Sequence, residues 1–341
     1  MNKETVATKP EKKKIGDVLS KLGTLMALAI LMAVFSFCSS SFMTLGNIMI
    51  LLKQASINCL IASGMLICLI TGGIDLSVGY NCVLCSCVIG VLVQNFGITS
   101  PWLLIPAGIL SSTLVGFING TLLTRLDLPH PFVSTLGVKN MVWGVALLIT
   151  ASTPIGLANK GIDPVLFLGG KTIFPEFLGF PVSFILVLVI YGIFHVFLNK
   201  SALGRQIYCV GGNPEAARLS GIRSKNVLTF VYSLSGFMCG LAGVVLCGRI
   251  GTASPVEGAT FDTEAIAACI IGGASFSGGK GTIWGTLIGA LLMATIRNGL
   301  NSMQAPKAVQ YVVIGAVIVS AVTLDVVRNK MEAKARRLAA K

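Results

Sequence analysis

Charge is scarce in this chain. Only 11% of its 341 residues are Asp, Glu, Lys or Arg, against about 25% in a soluble domain. A soluble fold that is 54% hydrophobic would leave large apolar patches facing water. Acid is scarcer than base, with 13 Asp and Glu beside 26 Lys and Arg. Histidine occurs twice, as His130 and His195. A proton relay needs acidic or His partners at matching depth, and none can be placed, so both histidines read as structural. Aromatics reach 7% and do not interleave with a basic face. The net charge of +13 therefore does not point to nucleic acid. No nucleophile–base pair lies within the apolar runs, so no intramembrane enzyme is expected.

Cysteine is present but in the wrong company for a metal. Nine of ten cysteines fall inside apolar runs, Cys209 being the exception. Cys82, Cys85 and Cys87 lack a nearby His or acid, while a structural zinc site takes four ligands. They read as small apolar helix residues.

What the chain has is apolar length. Its mean hydropathy is +0.85, and each membrane crossing needs roughly 20 apolar residues. Runs near 23–38, 47–70, 77–96, 101–123, 132–150, 181–198, 227–248, 262–276, 282–300 and 308–327 suggest ten spans. Leu22–Cys38 follows a long basic segment and reads as a retained helix, not a cleaved leader. With the N-terminus inside, nineteen basic residues fall on inner segments and six on outer ones, with Lys139 left within a span. That asymmetry puts both termini in the cytoplasm. The expected organisation is a basic tail at 1–22, a transmembrane domain at 23–327 and a basic tail at 328–341. Two connections exceed a simple turn. Ala151–Phe180 faces outward as an ordered cap, and the polar 199–226 faces inward as a docking surface.

Two stretches carry mechanism. In Gly72-Gly73-Ile74-Asp75-Leu76-Ser77-Val78-Gly79 the glycines can stop one helix and Asp75 can cap the next. An acid near the bilayer centre costs roughly 2.5–3.5 kcal/mol on insertion scales. A deep break would therefore mark a substrate pathway or gate, with Gly72, Gly73, Asp75, Ser77 and Gly79 in it. A break at the surface would be only a cap. A weak echo, Ala267–Gly279 against Ile67–Gly79, aligns Gly272-Gly273 with Gly72-Gly73 and would fit a parallel repeat. Four asparagines, Asn58, Asn119, Asn298 and Asn301, could line a polar route or satisfy neighbouring backbone.

The second stretch is the inner loop, Gly204 to Ile222. Asn213 suits a helix cap, Pro214 a first helical turn and Glu215 the positive end of the helix. Ala216 and Ala217 leave a smooth face, and Gly221 can end the helix. A short helix along the membrane surface is expected. A third segment, Gly273 to Thr282, looks like a phosphate loop but has Ala274 and Gly281 where that motif needs Gly and Ser or Thr. No nucleotide or other cofactor is expected on this chain.

At Thr71–Gly79 (TGGIDLSVG) and at GRQIYCVGGNPEAARLSGI the sequence resembles the ribose/xylose-type permeases of ATP-binding cassette importers. Phe132–Thr150 and Gly272–Asn301 extend the likeness, while the proline completing the wider EAA-and-glycine pattern is absent. The resemblance implies an all-α, polytopic transmembrane helical bundle of about ten spans, with broken helices and a cytoplasmic coupling helix, in a bacterial inner membrane. It implies a permease dimer, homo- or heteromeric, that takes a monosaccharide from an extracytoplasmic sugar-binding protein. Separate cytoplasmic ATPase subunits would consume the ATP. Gly204, Arg205, Gly211, Asn213, Glu215, Ala216, Ala217 and Gly221 would then sit against the ATPase. An amino-acid permease of related architecture and an ion-coupled secondary transporter are the alternatives. Few membrane-embedded acids besides Asp75 are visible, which counts against ion coupling.

Overall fold

A computed structural model describes residues 11–339, apart from 127, 129 and 174–178. The basic residues Lys3, Lys9 and Lys341 of the expected tails lie outside the described residues. The chain is all-α: α1 (Glu11–Cys38), α2 (Leu45–Ile70), α3 (Val78–Phe96), α4 (Pro101–Arg125), α5 (Pro131–Ile149), α6 (Asp163–Gly170), α7 (Val182–Lys200), α8 (Ala202–Gly212), α9 (Pro214–Leu219), α10 (Ser224–Ile250), α11 (Phe261–Ile271), α12 (Ile283–Ser302) and α13 (Lys307–Ala339). Its strands are two-residue pieces. Strand β1 (Ile155–Gly156) pairs antiparallel with β4 (Thr252–Ala253), and β2 (Thr172–Ile173) with β3 (Phe180–Pro181). The described residues of the 151–180 connection include α6, β1, β2 and the start of β3, and α1 and α13 run into the expected tails as far as Glu11 and Ala339.

Among the described residues eight helices are long and apolar enough to cross a membrane, namely α2, α3, α4, α5, α7, α10, α12 and α13 to Val327. Gly23–Cys38, within α1, is a shorter apolar stretch. The segment expected to span at 262–276 is instead the eleven-residue α11. At 1.5 Å per residue it covers about 16 Å, roughly half the hydrocarbon thickness. Gly272 and Gly273 end it there, so it is half a span.

The spanning helices sort into an interior and a rim. Buried residues fill 78% of the apolar stretch of α2 and α12 and 72% of that of α3 and α10, but 28% in α4 and 22% in α5. Interior helices are apolar all round, whereas rim helices show side chains such as Trp102, Leu148 and Val312 to lipid. Close approach in the interior depends on small residues. Ser112, Gly116 and Gly120 of α4 meet Tyr232, Gly236 and Thr229 of α10 at four-residue spacing. A Cβ on Gly240 would lie 2.8 Å from the Ile109 Cα. In lipid the drive for association is such packing and not water exclusion. At the far end of α3 a separate apolar cluster, including Ile89, Leu104, Leu157, Val165 and Cys247, seals the cap onto the bundle.

Candidate functional site

Helix α2 ends in a glycine cap. Gly72 takes φ +78°, its N–H donates to Leu69 O at 2.9 Å, and Gly73 N–H donates to Cys68 O at 2.9 Å. The left-handed turn, cheap only for glycine, reverses the chain toward the bilayer interior. Asp75 is then fully buried. Its Oδ1 accepts from Ser77 N (3.0 Å), Ser77 Oγ (2.6 Å) and Asn119 Nδ2 (3.3 Å), and its Oδ2 from Ser235 Oγ (3.3 Å). The carboxylate closes a tight Asx turn ahead of α3 and ties α4 and α10 to it. Ser77 and not Asp75 stands at the cap position, because Asp75 accepts from Ser77 and not from the first N–H groups of the helix. Ser235 is eleven residues into α10 and Asn119 six from the end of α4, or about 16 and 9 Å from the same end of the bundle. The glycine turn lies at the end of the bundle, beside the last turn of α4 and the first of α10. The chain re-enters from it to bury Asp75, yet Asp75 and Ser77 line none of the cavities described below. Gly79 packs on the chain before α11, where a Cβ would sit 2.5 Å from Gly258 O.

The segment after α11 repeats this cap. Gly273 takes φ +91°, with Gly273 N–H to Ile270 O and Ala274 N–H to Cys269 O both at 2.9 Å. The positive-φ residue is the second glycine here and the first in Gly72-Gly73, so the two caps align one residue off the sequence echo. Ser275 Oγ accepts from Ser277 N at 3.3 Å, the counterpart of Asp75 and Ser77 without the acid. The phosphate-loop lookalike spends its backbone internally: Gly279 N–H donates to Ile70 O at 2.8 Å.

The inner loop folds as two helices. Ser201 Oγ accepts from Gly204 N at 2.8 Å to cap α8, and Asn213 Oδ1 accepts from Ala216 N at 3.0 Å to cap α9. Gly221, at φ +80°, closes α9 as Ile222 N–H reaches Ala217 O. Glu215 is exposed and pairs with Arg218 at 2.6 Å, which raises the guanidinium pKa above its ordinary value. Arg205 donates to Lys200 O at 3.2 Å on the same exposed surface, Ala216 is exposed, and Ala217 is buried. Leu219 stands 75% exposed at the end of α9.

The sequence treats the break and the loop as separate places, but they meet. Gly211 lies against Ile70 O and Gly279 N, with no space for a Cβ. Tyr208 Oη donates to Gly281 O at 2.8 Å, and burial raises the phenol pKa, which keeps it a donor. The C-terminal end of α8 therefore touches both glycine breaks at once. A cavity of about 280 Å³ beside this junction is lined by Gly72, Gly73, Thr124, Ser224 and Lys225.

A larger cavity, about 490 Å³, opens at the other end of the bundle among α2, α10, α11, α12 and α13. Its wall includes Gln54, Arg249, Glu257, Phe261, Arg297, Asn301 and Tyr311. Gln54, Arg249, Phe261 and Arg297 also border a recess of about 20 Å³ that adds Asn58 and Glu264. Glu264, nearly buried, forms an ion pair with Arg297, which also donates to Thr260 Oγ1 at 2.8 Å. Next to it, Lys139 of α5 pairs with buried Asp262 at 2.6 Å and lies 5.9 Å over the Tyr80 ring. These acids correct the expectation that Asp75 stands nearly alone in the membrane. Asp262 and Glu264 read as the rim of a span because the 254–260 segment carries no helical pattern. In space it descends from Ala253, beside Gly90, to Gly258, beside Gly79, about 16 Å along α3.

Of the four asparagines, Asn58 and Asn301 line the cavities, Asn119 belongs to the Asp75 cluster, and Asn298 exchanges hydrogen bonds with Asn47 at 2.8 and 3.1 Å. Among the described residues no group of His, Cys, Asp or Glu is arranged to hold a metal.

The family described as "Branched-chain amino acid transport system / permease component" matches residues 47–322, from the first interior helix into α13. The chain belongs to this permease family. The ribose import permease protein RbsC of Bacillus subtilis (strain 168) is 39% identical to this permease over 326 residues, 95% of this chain and 98% of that one. The D-allose transport system permease protein AlsC of Escherichia coli (strain K12) is 39% identical over 318 residues, 92% and 95% of the two chains. The fructose import permease protein FrcC of Rhizobium meliloti is 36% identical over 283 residues, 81% and 76%. No solved structure matches. The permease is a multi-pass membrane protein whose full-length relatives are transport subunits.

Proposed function

We propose that this permease is the membrane-spanning subunit of an ATP-driven monosaccharide importer. Its relatives along nearly the whole chain are named as import permeases for ribose, allose and fructose. The observation that carries the mechanism is the junction at Gly211, where one surface helix pair rests on both glycine breaks. Movement of α8–α9 would be transmitted to α2, α3, α11 and α12 together, and of these α2, α11 and α12 border the cavity at the opposite end.

In this reading both termini and α8–α9 face the cytoplasm, as the excess of inner basic residues requires. Glu215, Ala216 and Leu219 meet a pair of ATPase subunits, while Gly204, Asn213, buried Ala217 and Gly221 set the shape of that surface and Arg205 extends it. Gly72, Gly73, Asp75, Ser77 and Gly79 act as the hinge that alternates access. The 490 Å³ cavity receives sugar from an extracytoplasmic binding protein, and a second permease protomer completes the route. Selectivity resides mainly in the binding protein.

The test is reconstitution in liposomes with candidate ATPase and binding-protein partners. Sugar uptake should require all components and internal ATP. Uptake by the permease alone, abolished by an ionophore, would replace this reading with ion coupling. Glu215→Arg should leave insertion and thermal stability unchanged while uncoupling ATP hydrolysis from uptake. Normal uptake in that variant refutes the ATPase contact.

A further inference from the structure

Asn58 is the polar side chain of the larger cavity system that the fold leaves without work. It lies on α2, one turn below Gln54, and is 8% exposed. Neither its Nδ2 nor its Oδ1 has a hydrogen-bond partner among the described residues. A buried carboxamide with both ends idle is costly, and native structures rarely keep one without a use. By contrast Asn119, Asn298 and Asn47 all bond side chains of other helices.

The surroundings of Asn58 define what could bond it. The recess is about 20 Å³, enough for a single hydroxyl and not for a ring. It adjoins the 490 Å³ cavity across Phe261 and Arg297, and that cavity has the size of a small-molecule site. Charges of both signs border the recess, Glu264 and Arg297 paired and Arg249 beside them. A cation there would face two guanidinium groups, and an anion, though drawn by Arg249, would lie against the Glu264 carboxylate in a poorly solvated wall. A neutral polyol meets neither. Its hydroxyls each donate and accept, which matches an amide that offers both functions side by side. Phe261 supplies an apolar ring face at the mouth for the C–H side of a sugar.

Resting on the reading as a monosaccharide permease, we infer that Asn58 is a sugar-binding residue. A ring held in the larger cavity would insert one hydroxyl, or an adjacent pair, against the Asn58 carboxamide. Glu264 and Arg297 hold the floor and stay paired to each other. The site discriminates hydroxylated from deoxygenated or charged ligands, a filter distinct from that of a binding protein.

The experiment is equilibrium binding of radiolabelled D-ribose, D-allose, D-fructose and D-galactose, at millimolar concentration, to the purified permease. Uptake is measured in parallel on the assembled transporter. The parent should bind at least one of these sugars, and Asn58→Leu should weaken that binding by about tenfold or more, the worth of a lost hydrogen bond in a buried site. The melting temperature should not fall, because no protein bond is removed. Asn58→Ser, smaller and still polar, serves if Leu does not fold, and should also weaken binding. Unchanged binding in either folded variant overturns the assignment. Uptake of a sugar by the assembled transporter without any binding to the permease overturns it while leaving the import reading intact. Failure of both binding and uptake overturns both.

Discussion

Two buried polar clusters divide this membrane domain, and they are built on opposite terms. Around Asp75 the donors share one acceptor: Ser77, Asn119 and Ser235 converge on one carboxylate from the start of α3, from α4 and from α10. Only the Asn119 Oδ1 is left without a partner there among the described residues. Around Asn58 the helices supply charges that pair with each other and a carboxamide that pairs with nothing. The first cluster is closed and lines no described cavity, while the second opens on 490 Å³. A satisfied network in low dielectric fixes helices in register, and an unsatisfied group there is a place for something to bind. Polar residues in a membrane core thus do two jobs, and the hydrogen-bond inventory separates them where residue type does not.

Substitutions can break this contrast, and the largest effect is expected at the ion pair. Glu264→Ala strands Arg297 in a largely buried wall and should cost about 3–5 kcal/mol, read from unfolding in mixed micelles. Adding Arg297→Ala should recover part of the loss, and a double variant no better than the single would show the pair to be structurally irrelevant. Asp75→Ala comes next, at about 2–3 kcal/mol, because Ser77, Asn119 and Ser235 lose their shared acceptor. Its folded fraction should bind sugar as the parent does, and loss of sugar affinity at unchanged stability would move Asp75 from the closed cluster to the open one.

Gly273→Ala tests whether the second break is a true counterpart of the first. Its φ of +91° should make alanine cost about 1–2 kcal/mol, as should Gly72→Ala at +78°. A cost at one position only would end the equivalence. No loss of stability is expected from Asn58→Leu, which should leave it unchanged or raise it, since no bond is lost and an unpartnered buried amide is removed. A drop comparable to that of Asp75→Ala would show that Asn58 supports the fold.

Much of this was legible in composition and pattern. Apolar runs located the long helices, and Asn213, Pro214 and Gly221 marked α9 by the chemistry of caps. The glycine arrest of α2 and the Asx turn at Asp75 follow from local preferences alone. Other features were in the letters but unread, such as the four-residue spacing of Ser112, Gly116 and Gly120 that sets α4 against α10. The length of α11 was misjudged because hydropathy continues through Gly272 and Gly273 and does not register where a helix stops. Lys139, stranded inside a span by the sequence pattern, has its partner Asp262 on a helix 123 residues later.

The chain alone determined that it lives in lipid, where most of its long apolar helices run and which residues bound α9. These are consequences of transfer energy and backbone geometry, and both act over a few turns. Only the tertiary structure decided that α8 rests on both breaks, that α11 starts deep in the bundle, and that Asp75 is satisfied where Asn58 is not. Hydrogen bonds and close packing join positions far apart in sequence, and whether a buried amide finds a partner depends on which other helix the fold brings beside it.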